Sequence, residues 1–177
     1  LLNRNSDFIL KALLDHEIDL GIIEGDTKSS KVHSQLFLED EVVPVCSSRS
    51  PLARKLSIAI KELPKLPVAL REQGSGTLAA LRHSLSELGI KLSELNSPIR
   101  LSGTEALKNF VMADECIGFL PLRSVEKELA SGSLVRLAVK GLSVRRQFYF
   151  IQRHGDAKSG LSQSFVRLAK LHYNVGL

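Results

Sequence analysis

Pro67-Val68-Ala69-Leu70, Arg71-Glu72-Gln73-Gly74-Ser75-Gly76-Thr77 and the leucines that follow decide the fold of this chain. The first four residues are a short apolar run and the next seven a polar, glycine-bearing turn. Leu78, Leu81, Leu85 and Leu88 then recur at the spacing of one helix face. The reading is strand, turn, helix. Gly74 and Gly76 let the backbone turn sharply, and Ser75 or Thr77 can accept from the first unpaired helical N–H groups. The remaining amides stand at the positive end of the helix dipole, which suits an anion. The same residues also fit a capped helix start with nothing bound, because a short glycine-rich turn is a weak signal.

The pattern returns thirty residues on. Ile99-Arg100-Leu101 reads as a strand, and Ser102-Gly103-Thr104-Glu105 opens a helix with Ala106, Leu107, Phe110 and Val111 on its inner face. Ser102 and Glu105 stand at capping-box spacing, which is a structural role. In a parallel sheet the turns at 74–77 and 102–105 lie at one edge and can face one ligand.

Toward the N-terminus, Asp7 to Asp15 carries Ile9, Leu10, Leu13 and Leu14, a helix capped by Asn5 or Ser6. Ile18 to Gly25 is a continuous apolar run closed by glycine, the pattern of a buried parallel strand. Glu24 ends it, either as a ligand-facing group or as a solvated strand end. Gln35 to Cys46 is strand-like with an acidic break at Glu39-Asp40-Glu41, the Ser47 to Leu52 turn marks a boundary, and Ser57 to Leu63 makes helical turns stopped by Pro64.

Toward the C-terminus, Cys116 to Leu120 is a strand ended by Pro121, Ser124 to Ala130 a helix with Val125 and Leu129 inward, and Leu134 to Leu137 a strand. Gln147 to Ile151 is the most aromatic strand, and Ser162 to Tyr173 a last helix with Phe165, Leu168, Ala169 and His172 along its core side. Alternating strands and helices with short connections predict an α/β fold with mostly parallel sheets. Boundary-like places near Ser47 and Gln147 divide it into an incomplete lobe of residues 1–46 and 148–177 and a second lobe of residues 47–147.

Composition narrows the function. At 177 residues with 44% apolar content, the chain suits one ordinary domain or two small lobes. The net charge of +5 favours small anions or acidic partners. Nucleic-acid binding by this segment is disfavoured: no reading helix and no zinc-ligand spacing are visible, and aromatic residues make up only 5%. Cys46 and Cys116 sit in apolar runs, as small core residues of a reduced cytosolic protein do. No run approaches the ~20 apolar residues of a membrane span. His16, His33, His83, His154 and His172 are dispersed without metal-ligand spacing, and Ser75 lacks the Gly-x-Ser-x-Gly elbow of a hydrolase. No catalytic residue, metal or cofactor is assigned, and the expectation is a protein that is not an enzyme. The chain opens Leu1-Leu2 with no methionine and is expected to be a fragment of something longer.

The succession Asn5-Ser6, Glu17-Ile18-Asp19-Leu20-Gly21-Ile22, Pro51-Leu52-Ala53, Arg71-Glu72-Gln73-Gly74-Ser75-Gly76-Thr77 and Ile117-Gly118-Phe119-Leu120-Pro121 resembles the effector-binding domain of LysR-type transcriptional regulators. Order and spacing agree over nearly the whole chain. The resemblance implies a type 2 periplasmic-binding-protein-like fold of two Rossmann-like lobes joined by two crossover strands, with the first strand and first long helix missing here. It implies a small, anionic effector in the inter-lobe cleft, lined by Ser75, Gly76, Thr77, Ser102, Gly103 and Thr104 of one lobe and Glu24 of the other. It further implies a cytoplasmic homodimer, with a tetramer also compatible for the full-length protein. DNA would be contacted only through a separate winged helix-turn-helix outside this chain. A periplasmic solute-binding protein of a transporter is the alternative for the same fold. The chain departs from the family pattern at Asp114 and Cys116, where glycines are usual, so the turn there is expected to shift.

Overall fold

A computed structural model describes all residues except Asn3, Asn5, Asp26, Lys28, Leu56, 156–159 and 175–177. It contains the helices α1 (Ser6–Leu14), α2 (Gly76–Glu87), α3 (Thr104–Ala113), α4 (Leu122–Ala130) and α5 (Leu161–Asn174). The strands are β1 (Gly21–Glu24), β2 (Val32–Ser47), β3 (Val68–Arg71), β4 (Ile99–Leu101), β5 (Ile117–Pro121), β6 (Leu134–Arg136) and β7 (Val144–Arg153). The chain divides into two compact units: Leu1–Glu39 with Arg146–Leu177, and Asp40–Arg145. The strands β2 and β7 carry the chain from one unit to the other. The Ser47 to Leu52 turn therefore lies inside the second unit, at the end of β2, and Gln147 lies within β7.

In the first unit β7 lies between β1 and β2, and it runs antiparallel to β1 with Gly21 opposite Ile151 and Glu24 opposite Phe148. The expected parallel strand at 18–25 is thus shorter and antiparallel. An apolar run reports burial, not direction. Even burial is one-sided here: Ile23 is buried against Ile9, Leu13, Val32 and Ile151, whereas Ile22 is 39% exposed. Gly21 begins the strand because a Cβ there would stand 2.7 Å from Ile9 Cγ2. Arg153 ties α1 to β1. Its Nη1 donates to the carbonyls of Leu13 and Ile18, each at 2.6 Å, and its Nη2 to Asp19 at 3.0 Å. The Leu13 carbonyl at the end of α1, which also accepts from His16 N at 3.3 Å, is thereby fully engaged.

A second apolar cluster joins Phe37 and Phe150 to Val166 and Ala169 of α5. The face of α5 that meets the sheet shares only Ala169 with the expected one. Phe165 is 50% and Leu168 67% exposed, and His172 is exposed as well. The cap expected at Asn5 falls outside the described residues, and Ser6, the first helical residue, instead pairs with the backbone of Glu24.

The second unit is a sheet with helices on both faces. The far half of β2 pairs antiparallel with β5, Val45 opposite Gly118, and with β6, Cys46 opposite Val135. Parallel pairing joins β3 to β5 and to β4, with one further isolated parallel bridge between Ile58 and Val139. The expectation of mostly parallel sheets is corrected to a mixed sheet. The acidic break at Glu39-Asp40-Glu41 does not interrupt β2, because Glu39 and Glu41 find partners alongside the strand in Gln147 and Arg136.

Period-two alternation divides the buried runs between the two faces. Val42, Cys46, Val68, Leu70, Ile117 and Phe119 pack with Leu78, Leu81 and Leu85 of α2. Val43, Val45, Ala69, Cys116 and Leu120 pack with Leu107 and Val111 of α3 and Val125 of α4. Leu88, the fourth leucine of the predicted face, is the C-cap of α2 and 38% exposed. The segment around Pro64 forms a 3-10 turn over Ile60–Lys65, with the proline inside it and not at its end. Asp114 is extended, with φ −118° and ψ 167°, so the family glycine is replaced without left-handed strain.

Candidate functional site

The strand β3 ends at Arg71 and β4 at Leu101, and these two residues are register partners in a parallel ladder. Two chains leaving adjacent parallel strands at the same level must turn at the same edge. The turn at 72–75 leads into α2 and the turn at 102–103 into α3. Both bends use a glycine in a conformation that side chains rarely adopt, Gly74 at φ +86° and Gly103 at φ +85°. The six residues Ser75, Gly76, Thr77, Ser102, Gly103 and Thr104 are thus brought to one edge of the second unit.

The helix starts differ from the sequence expectation. The N-caps are Ser75 and Gly103, and neither makes a side-chain cap hydrogen bond. Ser75 fixes the turn through its backbone, its N–H donating to Glu72 O at 3.3 Å and its carbonyl accepting from Ala79 N at 3.0 Å. The Ser102–Glu105 capping box is not formed: the cap falls one residue later, and Glu105 pairs with Lys108 at 3.0 Å. Ser102 and Gly103 are exposed, Gly76 and Thr104 half-buried, and Ser75 and Thr77 buried.

Two charged residues organise this edge, and neither stood among the predicted site residues. Arg71 Nε and Nη2 donate to the two carboxylate oxygens of Glu72 at 2.7 and 2.9 Å, and Nη1 donates to Thr104 Oγ1 at 2.9 Å. The guanidinium therefore spans from the end of β3 to the first residue of α3. Hydrogen bonding from Arg71 holds the Glu72 carboxyl below the ordinary carboxylate range, with a smaller contribution from the Gly103 backbone amide and opposed by partial burial. A basic residue ending a strand just before a glycine-rich turn was the available sequence signal.

Glu24 belongs to the first unit. Its carboxylate accepts from Arg146 Nη1 at 3.3 Å, and both side chains are largely buried. Arg146 in turn lies over the Phe148 ring, 4.8 Å from its centroid. The lone negative charge that the sequence suggested is an ion pair. Among the described residues no cluster of His, Cys, Asp and Glu could hold a metal ion, and no helix is long and apolar enough to cross a membrane.

A mixed α/β chain of two units, with two helix starts and an arginine gathered at one sheet edge, has the make-up of a domain that holds a small molecule. The LysR substrate binding domain family matches residues 1–173, and the chain belongs to that family. It is 31% identical over 157 residues to the HTH-type transcriptional regulator CbbR of Sinorhizobium medicae, covering 89% of this chain and 50% of that protein. The chain spans about half the length of the curated relatives it matches. Among solved structures, the CcmR regulatory domain of Synechocystis PCC6803 in complex with 2-PG superposes with a TM-score of 0.81 at 23% identity, covering 97% of this chain and 81% of that one. The effector-binding domain of QuiR in complex with shikimate gives 0.78 at 18% identity, covering 98% and 80%. These relatives are transcriptional regulators or their regulatory domains, not the solute-binding proteins of transporters.

Proposed function

We propose that this chain is the part of a transcription regulator that senses a small oxyanion, bound at the edge where α2 and α3 begin. The observation that carries the reading is the parallel register of Arg71 with Leu101, which gathers two helix starts and a guanidinium on one side of a sheet. Backbone N–H groups at helix starts and a charged guanidinium both stabilise a carboxylate or phosphoryl group. Ser75, Gly76, Thr77, Ser102, Gly103 and Thr104 supply the amides and hydroxyls.

Sensing requires that the effector bind one conformation better than another, and a preference of a few kcal/mol is enough to shift the populations. The regulator acts in the cytoplasm as a homodimer, and a separate winged helix-turn-helix domain contacts DNA. A thermal-shift screen of small carboxylates and phosphates tests the reading, since a specific binder raises the melting temperature by mass action. Calorimetry of the hit with Thr77→Ala and Ser102→Ala follows, and each is expected to lose roughly tenfold in affinity. Unchanged affinity in both variants removes these residues from the site.

A further inference from the structure

The contact between Arg71 and Glu72 is unusual for neighbours in sequence. Successive residues of a strand project to opposite faces, so a two-bond pairing at this spacing forms only where the chain leaves strand geometry. It leaves at Glu72, whose N–H donates to Leu101 O at 3.2 Å and whose carbonyl accepts from Ser75 N at 3.3 Å. The backbone is held on both sides and the carboxylate folds back onto the guanidinium. Arg71 is the fixed half of the pair, its side chain 13% exposed and anchored on Thr104, while that of Glu72 is 35% exposed.

Resting on the sensor reading above, we propose that Glu72 is an internal competitor for the effector, occupying the guanidinium fork that an effector oxyanion takes over. The fork formed by Nε and Nη2 accommodates one pair of acceptor oxygens at a time. The group that displaces Glu72 must present two such oxygens, as a carboxylate or phosphoryl group does. A neutral or cationic group cannot replace it, so the pair selects the ligand class. The exchange trades one ion pair for another, and the released carboxylate passes into water from a position already a third exposed. Because hydrogen bonding from Arg71 favours the charged form of Glu72, the carboxylate occupies the fork whenever the effector is absent and must be displaced when it binds.

Inorganic phosphate serves as the probe, titrated by calorimetry into the wild-type chain, Glu72→Gln and Arg71→Lys. Glu72→Gln removes the competing charge and is expected to bind phosphate roughly three- to tenfold more tightly than wild type. Arg71→Lys loses the fork and is expected to bind more weakly than wild type. In the wild-type chain, the NMR signals of the Arg71 Nε–H group and the Glu72 carboxylate carbon should move together as phosphate is added, the latter toward the position of free glutamate. This readout does not depend on the variants folding. If Glu72→Gln binds phosphate no better while Thr77→Ala weakens it, the site stands and the competitor is refuted, as it is if the Glu72 signal stays fixed at saturation. If phosphate binds to none of the proteins, the competitor and the oxyanion site fall together.

Discussion

Gly118 on β5 and Val111 on α3 meet so closely that a Cβ on Gly118 would stand 2.5 Å from Val111 Cγ2. Both residues are buried, and the contact sets how near α3 lies to the sheet that carries the site. A valine in a helix has one strongly favoured rotamer and cannot turn aside. Gly118→Ala is therefore expected to cost about 1–3 kcal/mol by overpacking. Urea denaturation of Gly118→Ala, Val111→Ala and the double variant checks it. The double variant should be more stable than the sum of the two single losses predicts. Simple additivity would mean that the approach is not limited by this pair.

Gly103 is required for a different reason. Its φ of +85° and ψ of 146° lie in a region that is essentially glycine's alone, yet a Cβ there meets nothing within 4 Å. Gly103→Ala is expected to cost about 1–3 kcal/mol through backbone strain, with no clash to relieve. The strain falls on the peptide that positions Thr104 under Arg71, so phosphate affinity should fall along with the melting temperature. Thermal unfolding and calorimetry on one preparation test both parts. Val111→Ala should couple with Gly118→Ala, giving a combined loss smaller than the sum, and should be additive with Gly103→Ala.

These two glycines also mark how far the sequence is legible. The strand, turn and helix at 67–88 follow from local signals alone, since an apolar run, two glycines and leucines at helical spacing in this order specify the element types without reference to distant residues. Strand direction at Gly21–Glu24 does not follow, because the same apolar run is compatible with either orientation and its partner β7 lies more than a hundred residues away. The outward placing of Phe165 and Leu168 was hidden for a related reason: periodicity defines the apolar stripe of α5, while the neighbours in space decide which part of it is covered. The two turns were read where the chain leaves β3 and β4, but the pairs Arg71 with Glu72 and Arg146 with Glu24 were not foreseen. Ion pairs depend on where a turn aims a side chain, and spacing says nothing about that.

The thiols of Cys46 and Cys116 are both pushed up to about 11, chiefly by burial. Cys46 packs with α2 and Cys116 with α3, on opposite faces of one sheet, so the two do not face each other. Burial disfavours the thiolate, which at pH 8 is about one part in a thousand for such a group. Alkylation of the native protein at pH 8 should therefore proceed no faster than unfolding exposes the thiols, and mild oxidants should form no intrachain disulfide. Mass spectrometry after timed labelling decides it. Rapid modification of either cysteine in the folded protein would contradict the burial argument.

Lys108 on α3 is buried with its ammonium 3.0 Å from Glu105, 3.0 Å from Glu128 on α4 and 3.2 Å from the Ser124 carbonyl. Hydrogen bonds that Lys108 donates to Glu105 and Glu128 raise its pKa above 10.5, so its contribution is complete below that value and is lost as pH rises through the folded pKa. Glu128 is shifted the other way, chiefly by Lys108, so its contribution is present above 4.5 and fades as pH falls through the folded pKa. Stability from this cluster therefore occupies the window between those two limits. Lys108→Met removes the cation and leaves two carboxylates facing each other without it. Its melting temperature should lie a few degrees below wild type at pH 7. The gap should narrow as pH falls below 4.5 and on through the folded pKa of Glu128, where wild type loses the Lys108–Glu128 pairing that the variant already lacks. It should also narrow above 10.5, where wild type loses the same charge. Calorimetric scans of both proteins from pH 3 to 11 measure the gap directly. A constant gap across that range would mean that Lys108 holds α3 to α4 by packing of its methylenes and not by charge.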